Sequence, residues 1–166
     1  MILQLHCPTC RIEIDDSTYR CPTCKGPVEC TPSQEPTFPR QAIAGRPADM
    51  WRYSEALPSL PSRVSLGEPI TPLVPFEQDG YQTLAKCEYL MPTGSYKDRG
   101  AALLASYLHS SGIDTAVEDS SGNAGAALAA YAARAGFQLK VFCPASASAG
   151  KLAQIRLYGA ELVPIE

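Results

Sequence analysis

The chain has 166 residues and a mass of 17.8 kDa, and 45% of its residues are hydrophobic. This length suits one domain, or a small domain with part of another, and the hydrophobic content excludes a chain that is disordered throughout. The 14 basic and 17 acidic side chains give a net charge of -3, which provides no electrostatic attraction to nucleic acid or to an anionic membrane.

The amino-terminal segment contains two CPTC repeats separated by ten residues, with cysteines at Cys7, Cys10, Cys21 and Cys24. Each CxxC pair supplies two thiolates from one tight turn, and two such turns can close a tetrahedral zinc site. The metal would stabilise a segment that is too small to fold by packing alone. We therefore expect a structural zinc ribbon over residues 1–30. A redox pair is disfavoured, because a redox CxxC opens a helix after a strand and here the pattern occurs twice.

Zinc ribbons often belong to modules that bind nucleic acid or other proteins. Acidic side chains outnumber basic ones in residues 1–30, whereas a phosphate-binding ribbon is usually basic. We interpret the ribbon as an accessory module and expect no nucleic-acid partner. The sequence shows neither a basic leader nor a run of about 20 apolar residues, which predicts no membrane partner and a cytoplasmic location.

Residues 31–69 are rich in proline and are interpreted as a linker and an extended arm. In residues 31–50 each proline removes a backbone donor and restricts the residue before it, so we expect neither a helix nor a central strand there. The following segment, WRYSEALP, has Trp51, Tyr53 and Leu57 at helical spacing and predicts one short helix.

Residues 70–166 alternate between segments with strand and helix patterns. We expect strands at 82–87, 115–118, 139–143 and 160–166, and helices at 98–112, 124–136 and 148–159. Alternation with short connections predicts an α/β domain with a three-layer, doubly wound, mostly parallel sheet and right-handed crossovers.

The first turn of chemical interest is PTGSYKDRG, residues 92–100, which places Lys97 between a glycine-serine turn and the start of an apolar helix. A lysine at such a junction, near a second glycine-rich turn, can form a Schiff base with a carbonyl cofactor. An arbitrary lysine is more often a solvated surface residue, and only the neighbouring motifs favour the chemical interpretation. Asp98 and Arg99 are expected to stabilise the turn.

The second turn, SSGNAG at residues 120–125, lies between a predicted strand and a predicted helix. Backbone amides at a helix amino terminus, together with the hydroxyls of Ser120 and Ser121, can bind a carboxylate or a phosphate, and Asn123 adds a side-chain amide. Taken alone, this turn is also compatible with simple helix capping. It does not match GxGxxG, and no acidic residue ends the next strand, so dinucleotide binding is disfavoured.

Five segments of the chain together resemble threonine synthases and their pyridoxal-phosphate-dependent relatives of fold type II, the tryptophan-synthase-beta-like enzymes. They are WRYSEALP, SLGEPITPL, PTGSYKDRG, EDSSGNAGAALAAYAARAG and GKLAQIRLYGAELV, and the resemblance covers residues 50–166. A subset of threonine synthases carries a zinc ribbon before the same WRY segment. Threonine dehydratases typically lack both the ribbon and the aspartate that is Asp98 here.

The resemblance implies a role for each of the two turns. It identifies Lys97 as the lysine that forms a Schiff base with pyridoxal 5'-phosphate and then moves protons, and Asn123 as the residue that binds the 3-hydroxyl of the cofactor. The loop around the carboxylate of an amino-acid substrate would consist of Ser120, Ser121, Gly122, Asn123 and Ala124. The implied reaction converts O-phosphohomoserine and water to threonine and phosphate, and the full-length enzyme is expected to be a homodimer.

The sequence departs from the family pattern at Tyr96, where phenylalanine is usual, at Met91, where asparagine is common, and at Pro69, which interrupts GEGxTPL. Family members are about twice as long, and no glycine-rich loop for the cofactor phosphate occurs here. We therefore expect residues 70–166 to be the incomplete, amino-terminal part of the enzyme domain, which leaves the activity of the isolated chain open. Two alternatives are another fold type II enzyme, such as a threonine dehydratase or a cysteine-synthase-like beta-replacement enzyme, and a non-catalytic zinc-ribbon fragment.

Overall fold

The computed structural model describes residues 3–15 and 18–166, which divide into two compact units. The first unit runs up to Pro47 and also contains Trp51–Ser59. The second consists of Ala48–Met50 and Leu60–Glu166.

The first unit is built on an antiparallel pair of strands, β1 (Leu3–His6) and β2 (Glu29–Pro32). The loops between these strands contain the four cysteines of the CPTC repeats. Three of these cysteines belong to a small hydrophobic cluster. Its buried members are Cys7, Ile14 and Cys21, and Leu5, Cys10 and Val28 are partly buried against them. Little of this unit is apolar core, as expected for a segment that needs another source of stability.

Helix α1 (Arg40–Ala44) lies in the proline-rich segment, where no helix was expected, so that prediction was wrong. Pro39 directly precedes the helix, and its carbonyl accepts a hydrogen bond from the amide of Ile43 at 3.0 Å. Proline is compatible with the start of a helix because the first amides have no partner within the helix. The helix ends after one turn, before the Arg46–Pro47 pair.

A 3₁₀ helix occupies Met50–Ala56, close to the short helix predicted from the spacing of Trp51 and Tyr53. Within the first unit, the guanidinium of Arg46 donates two hydrogen bonds to the carboxylate of Glu55, at 2.7 and 2.6 Å, and a third to the carbonyl of Arg52 at 2.7 Å. These bonds connect Arg46, in the proline-rich segment, to the 3₁₀ helix.

The second unit begins with a hairpin of two antiparallel strands, β3 (Leu73–Gln78) and β4 (Tyr81–Lys86). Asp79 and Gly80 form its two-residue turn, with φ angles of 53° and 80°. The sequence predicted the second of these strands, at 82–87, as the strand before the turn with Lys97 in a mostly parallel sheet. The strand is present, but it pairs only with its hairpin partner among the described residues.

The parallel sheet contains β5 (Thr115–Glu118), β6 (Gln138–Pro144) and β7 (Glu161–Ile165), in that order. Helix α3 (Asn123–Ala135) connects β5 to β6, and α4 (Ala149–Leu157) connects β6 to β7. Helix α2 (Lys97–Ser110) precedes the sheet and packs against α3. The expected α/β class with a parallel sheet is confirmed.

Helix α3 lies at the centre of this unit, and its residues from Gly125 to Ala132 are buried. Most of them are alanines, whose small side chains allow α2 and α4 to approach closely. Gly136 ends the helix in a left-handed conformation, with a φ of 84°, as its position in the sequence predicts. Within the described ranges, no helix is both long and apolar enough to span a bilayer.

Candidate functional site

The turn that leads into Lys97 consists of residues 91–96 and is called the lysine turn. Together with a preceding 3₁₀ turn at Glu88–Leu90, it connects the hairpin to α2. Gly94 has a φ of 85°, in the left-handed region, and its amide donates to the carbonyl of Met91 at 2.8 Å. The hydroxyl of Ser95 accepts a hydrogen bond from the amide of Lys97 at 3.3 Å. Lys97 follows this turn as the first residue of α2, and its side chain is exposed.

Asp98, the next residue, faces inward and is fully buried. Its carboxylate accepts hydrogen bonds from the amide of Thr93, at 2.7 Å, and from the Thr93 hydroxyl. Burial raises the pKa of Asp98, and the two bonds from Thr93 oppose that rise. Asp98 thus closes the turn before Lys97 onto the first turn of the helix, in agreement with its expected structural role.

Arg99 connects the first turn of α2 to Glu88, in the 3₁₀ turn that precedes the lysine turn. Its Nε and Nη2 atoms donate to the two carboxylate oxygens of Glu88, at 2.8 and 2.9 Å. The same carboxylate also accepts a hydrogen bond from the hydroxyl of Thr71 and lies 3.6 Å from the ammonium of Lys86. The Arg99 pairing is the main cause that lowers the pKa of Glu88 to about 2.

The second turn carries the chain from the end of β5 into α3. The amide of Gly122 donates to the hydroxyl of Ser120 at 3.3 Å, and the carbonyl of Gly122 accepts from the amide of Ala126 at 3.1 Å. A β-carbon at Gly125 would lie 2.2 Å from the carbonyl oxygen of Ser120, so only glycine permits this close fold of the turn. The first amides of α3 have no partner within the helix and are available to an anion.

The predicted binding residues all fall on this turn or on the start of α3. Ser120, Ser121, Gly122 and Ala124 are partly buried, whereas Asn123 is exposed as the first residue of the helix. Lys97 and Asn123 thus occupy equivalent positions, each at the amino terminus of one of two packed helices. In the part of the chain that the structure describes, no hydrogen bond joins their side chains.

Electrostatics relates Lys97 to the end of β5. Burial is the main cause that raises the pKa of Glu118, the last residue of that strand, and the neighbouring Asp119 raises it further. The ammonium of Lys97 acts in the opposite direction on this carboxyl group. The lysine amine therefore lies within electrostatic range of the carboxyl end of β5, from which the second turn begins. Its Nζ atom is also 5.2 Å from the centroid of the Tyr96 ring.

The four cysteines of the CPTC repeats form a separate cluster in the first unit. The sulfur atoms of Cys7, Cys10, Cys21 and Cys24 all lie within 4.8 Å of one another. A tetrahedral metal with bonds of about 2.3 Å to sulfur separates its ligands by just under 4 Å. The cluster could therefore hold a metal ion.

The two repeats fold alike. In each, the amide of the second cysteine points to the sulfur of the first, at 3.3 Å for Cys10 and 3.5 Å for Cys24. The residue after the second cysteine returns a hydrogen bond to the carbonyl of the first, at 2.8 Å for Arg11 and 2.9 Å for Lys25. Amide-to-sulfur bonds of this kind stabilise thiolates, so the geometry suits a metal ligand set.

Some residues that shape the site were not singled out from the sequence. Glu68 is fully buried and accepts hydrogen bonds from the amide of Leu66, at 2.9 Å, and from the hydroxyl of Tyr131. Gln154 of α4 donates from Nε2 to the carbonyl of Thr93 at 2.8 Å. Tyr131 is 63 residues from Glu68, and Thr93 is 61 residues from Gln154. A single sequence carries no signal for such long-range contacts.

Comparison with known proteins relates the second unit to one enzyme family. The family model described as "Pyridoxal-phosphate dependent enzyme" matches residues 64–166. The threonine synthase of Halalkalibacterium halodurans is 41% identical over 121 residues, covering 69% of this chain and 34% of that protein. The threonine synthase of Methanosarcina acetivorans is 32% identical over 170 aligned positions, covering 97% of this chain and 42% of that protein.

A solved structure is also similar. The crystal structure of O-ureido-L-serine synthase superposes with a TM-score of 0.53 at 33% identity, covering 57% of this chain and 32% of that one. The chain thus spans between about a third and two fifths of the length of the curated relatives described above.

Proposed function

The chain belongs to the pyridoxal-phosphate-dependent enzymes, and from this premise we propose that it provides the lysine-bearing part of a threonine synthase. The complete enzyme would convert O-phosphohomoserine and water to threonine and phosphate. The observation that carries this proposal is the similarity to the Methanosarcina acetivorans threonine synthase along 97% of the chain. That similarity extends beyond the enzyme domain into the segment with the cysteine cluster.

The residues of the second unit suit the cofactor of this family. An exposed primary amine, that of Lys97, stands at the amino terminus of α2, and the amides of the first turn of α3 are available to an anion. Glycine at position 125 lets the second turn fold closely enough to present those amides. An aldehyde cofactor requires such an amine, and an amino-acid substrate brings such an anion.

In this proposal the residues divide the work. Lys97 would hold the cofactor through Nζ, and the same amine would accept and return protons during turnover. Asn123 would bind the 3-hydroxyl of the cofactor, and the loop of Ser120, Ser121, Gly122, Asn123 and Ala124 would bind the substrate carboxylate. When bound, pyridoxal phosphate withdraws electrons from the substrate and so stabilises negative charge on its carbon atoms.

The test uses the complete gene product and locates the cofactor chemically. After reduction with borohydride and proteolysis, mass spectrometry is expected to find the pyridoxyl group on the peptide that contains Lys97. Lys97→Ala should abolish the visible absorbance band and the labelled peptide, whereas Lys140→Ala, which alters a partly exposed lysine of β6 that pairs with Glu161, should retain both. A label on another lysine, or no label in the wild-type protein, would refute the proposal.

A second candidate is a beta-replacement enzyme, favoured by the similarity to O-ureido-L-serine synthase. The two functions differ in substrate, so turnover separates them. If the chain is part of a threonine synthase, the complete protein should release phosphate from O-phosphohomoserine faster than it turns over O-acetylserine or threonine. Faster turnover of O-acetylserine, or of threonine as a dehydratase would show, would reassign the chain to another reaction of the family.

The proposal has three further parts. The cysteine cluster holds a structural zinc ion, for which the four sulfurs and their amide contacts provide a suitable ligand set. The complete protein is a homodimer. It acts on a small amino-acid substrate in the cytoplasm, in keeping with the metabolic reaction proposed for it.

A further inference from the structure

We propose that helix α4 sets the separation between the two functional turns, with Gln154 as a positioning residue for Lys97 and Ile155 as the support of the turn at 120–125. This inference rests on the proposed function, in which the two turns bind one cofactor and its substrate. Neither residue lies in either turn, and both act through other residues.

Gln154 holds the lysine turn at Thr93. Its Nε2 atom donates to the carbonyl of Thr93 at 2.8 Å and lies 3.3 Å from the hydroxyl oxygen of Tyr158. The amide and the hydroxyl of Thr93 already donate to Asp98. Every polar group of Thr93 therefore has a partner, and one of those partners lies on α4.

Thr93 transmits the position of α4 to Lys97. Asp98 is buried, is bonded to Thr93 and follows Lys97 directly in the first turn of α2. A displacement of Thr93 would therefore rotate or shift that turn and move the backbone of Lys97 with it. Removing the bond from Gln154 would leave the Thr93 carbonyl, in a nearly buried residue, without its partner.

Ile155 supports the second turn in the same way. Its side chain is fully buried, and a β-carbon at Gly125 would lie 3.1 Å from its Cδ1 atom, so this methyl group packs directly on the glycine. Gln154 and Ile155 are neighbours on one helix, about 1.5 Å apart along its axis. Both turns therefore contact one rigid segment of α4. Neither Gln154 nor Ile155 can move far without the other.

This arrangement has a functional reason in the proposed chemistry. Groups that act on one cofactor must be held to about 0.5 Å, and this requires a support that is itself well packed. The amino-terminal ends of α2 and α3 are exposed at Lys97 and Asn123. The necessary support must therefore come from residues packed against the buried side of the two turns, as Gln154 and Ile155 are.

The test measures each turn separately in the complete gene product. Gln154→Met keeps the size of the side chain but removes both donors, and Ile155→Val removes only the methyl group that touches Gly125. Amide hydrogen exchange of the cofactor-free protein, followed by mass spectrometry, reports on peptides covering 91–97 and 120–126. Gln138→Met, at an exposed position of β6, is the matched control.

We expect Gln154→Met to accelerate exchange in the 91–97 peptide at least about threefold, and Ile155→Val to do so in the 120–126 peptide. With cofactor bound, each variant should lower kcat by about tenfold with a smaller change in KM and should alter the pH dependence of the visible absorbance. The effects on kcat should be less than additive in the double variant, because both contacts set one geometry.

The outcomes separate this inference from the proposed function. If wild-type protein carries cofactor on Lys97 but Gln154→Met matches the control in exchange, kcat and absorbance, the positioning role is wrong. If wild-type protein carries no cofactor, the proposed function fails. In that case the exchange data alone decide whether Gln154 holds the lysine turn, and rates equal to those of the control overturn the inference.

Discussion

Gly125 is the residue at which the candidate site has no room for a side chain. An added β-carbon would lie 2.2 Å from the carbonyl oxygen of Ser120 and 3.1 Å from Cδ1 of Ile155. The first neighbour is backbone and cannot rotate away. We expect Gly125→Ala to lower the free energy of unfolding by about 3 kcal/mol, as overpacking does in a tight core, and to weaken cofactor binding. Urea denaturation measures the first effect, and titration with pyridoxal phosphate measures the second.

Gly100 provides the control for this change. It also lies in a helix, near the start of α2, but no atom would come within 4 Å of an added β-carbon. Because alanine favours the helix more than glycine does, Gly100→Ala should raise the free energy of unfolding by about 1 kcal/mol. Equal losses in the two variants would show that the crowding at Gly125 has no special effect.

At the scale of elements, Glu88 ties the 3₁₀ turn to α2 through Arg99. Its pKa falls from 4.5 to about 2 in the folded chain, with the Arg99 pairing as the largest cause. A lowered pKa stabilises the fold above the unfolded value of 4.5 and loses that effect as the pH falls toward 2. The carboxylate side chain is only 20% exposed, so we expect this contribution to be about 2 kcal/mol at neutral pH.

The expected result is a difference in the acid branch of the stability curve. Glu88→Gln should be less stable than wild type at pH 7 and should lose less stability between pH 5 and pH 3, as measured by urea denaturation at each pH. Glu77→Gln, at an exposed position of β3, removes one carboxylate outside this ion pair and is the matched control. Parallel curves for wild type and Glu88→Gln would contradict the assignment.

The elements of the second unit show what the sequence could predict. The strand predicted at 115–118 is found at Thr115–Glu118, and Lys97 begins the helix that the turn predicted, because the periodicity and the turn residues act locally. The antiparallel pairing of β3 and β4 was missed. Asp79 and Gly80 between two apolar runs are a signal for such a hairpin, and this signal would have predicted it.

The support of the site was not predictable in the same way. Lys97 and the residues of the turn at 120–125 were named from local motifs, since turn and helix-start residues are contiguous in sequence. Gln154 and Glu68 act on partners more than 60 residues away, through contacts that exist only once the chain has folded. Only the fold can show them.

At the scale of the whole molecule, the cysteine cluster belongs to the first unit, whereas Lys97 and Asn123 belong to the second. We therefore expect a strong chelator to remove the proposed zinc ion from the complete protein before it affects the cofactor proposed to be held by Lys97. Metal analysis and visible absorbance, recorded on the same sample, measure the two events. Simultaneous loss of both signals would contradict this expectation.

A cysteine outside the cluster gives the matched variant. Cys10→Ser removes one ligand and should reduce the zinc content, whereas Cys30→Ser changes an exposed cysteine of β2 and should leave it near one ion per chain. Retention of zinc by Cys10→Ser would show that the four sulfurs are not the ligand set.

The two CPTC turns also affect how tightly any metal can be held. Arg11 and Lys25 follow the second cysteine of each turn and have φ angles of 56° and 60°, a conformation that non-glycine residues adopt at a cost of about 1 kcal/mol each. A metal that closes both turns must supply that free energy, so its apparent affinity is lower, by about 30-fold, than that of the same ligands on a relaxed backbone. This cost is the same for every ion, so the backbone weakens the site for all metals alike and leaves the choice between them to the four sulfur ligands.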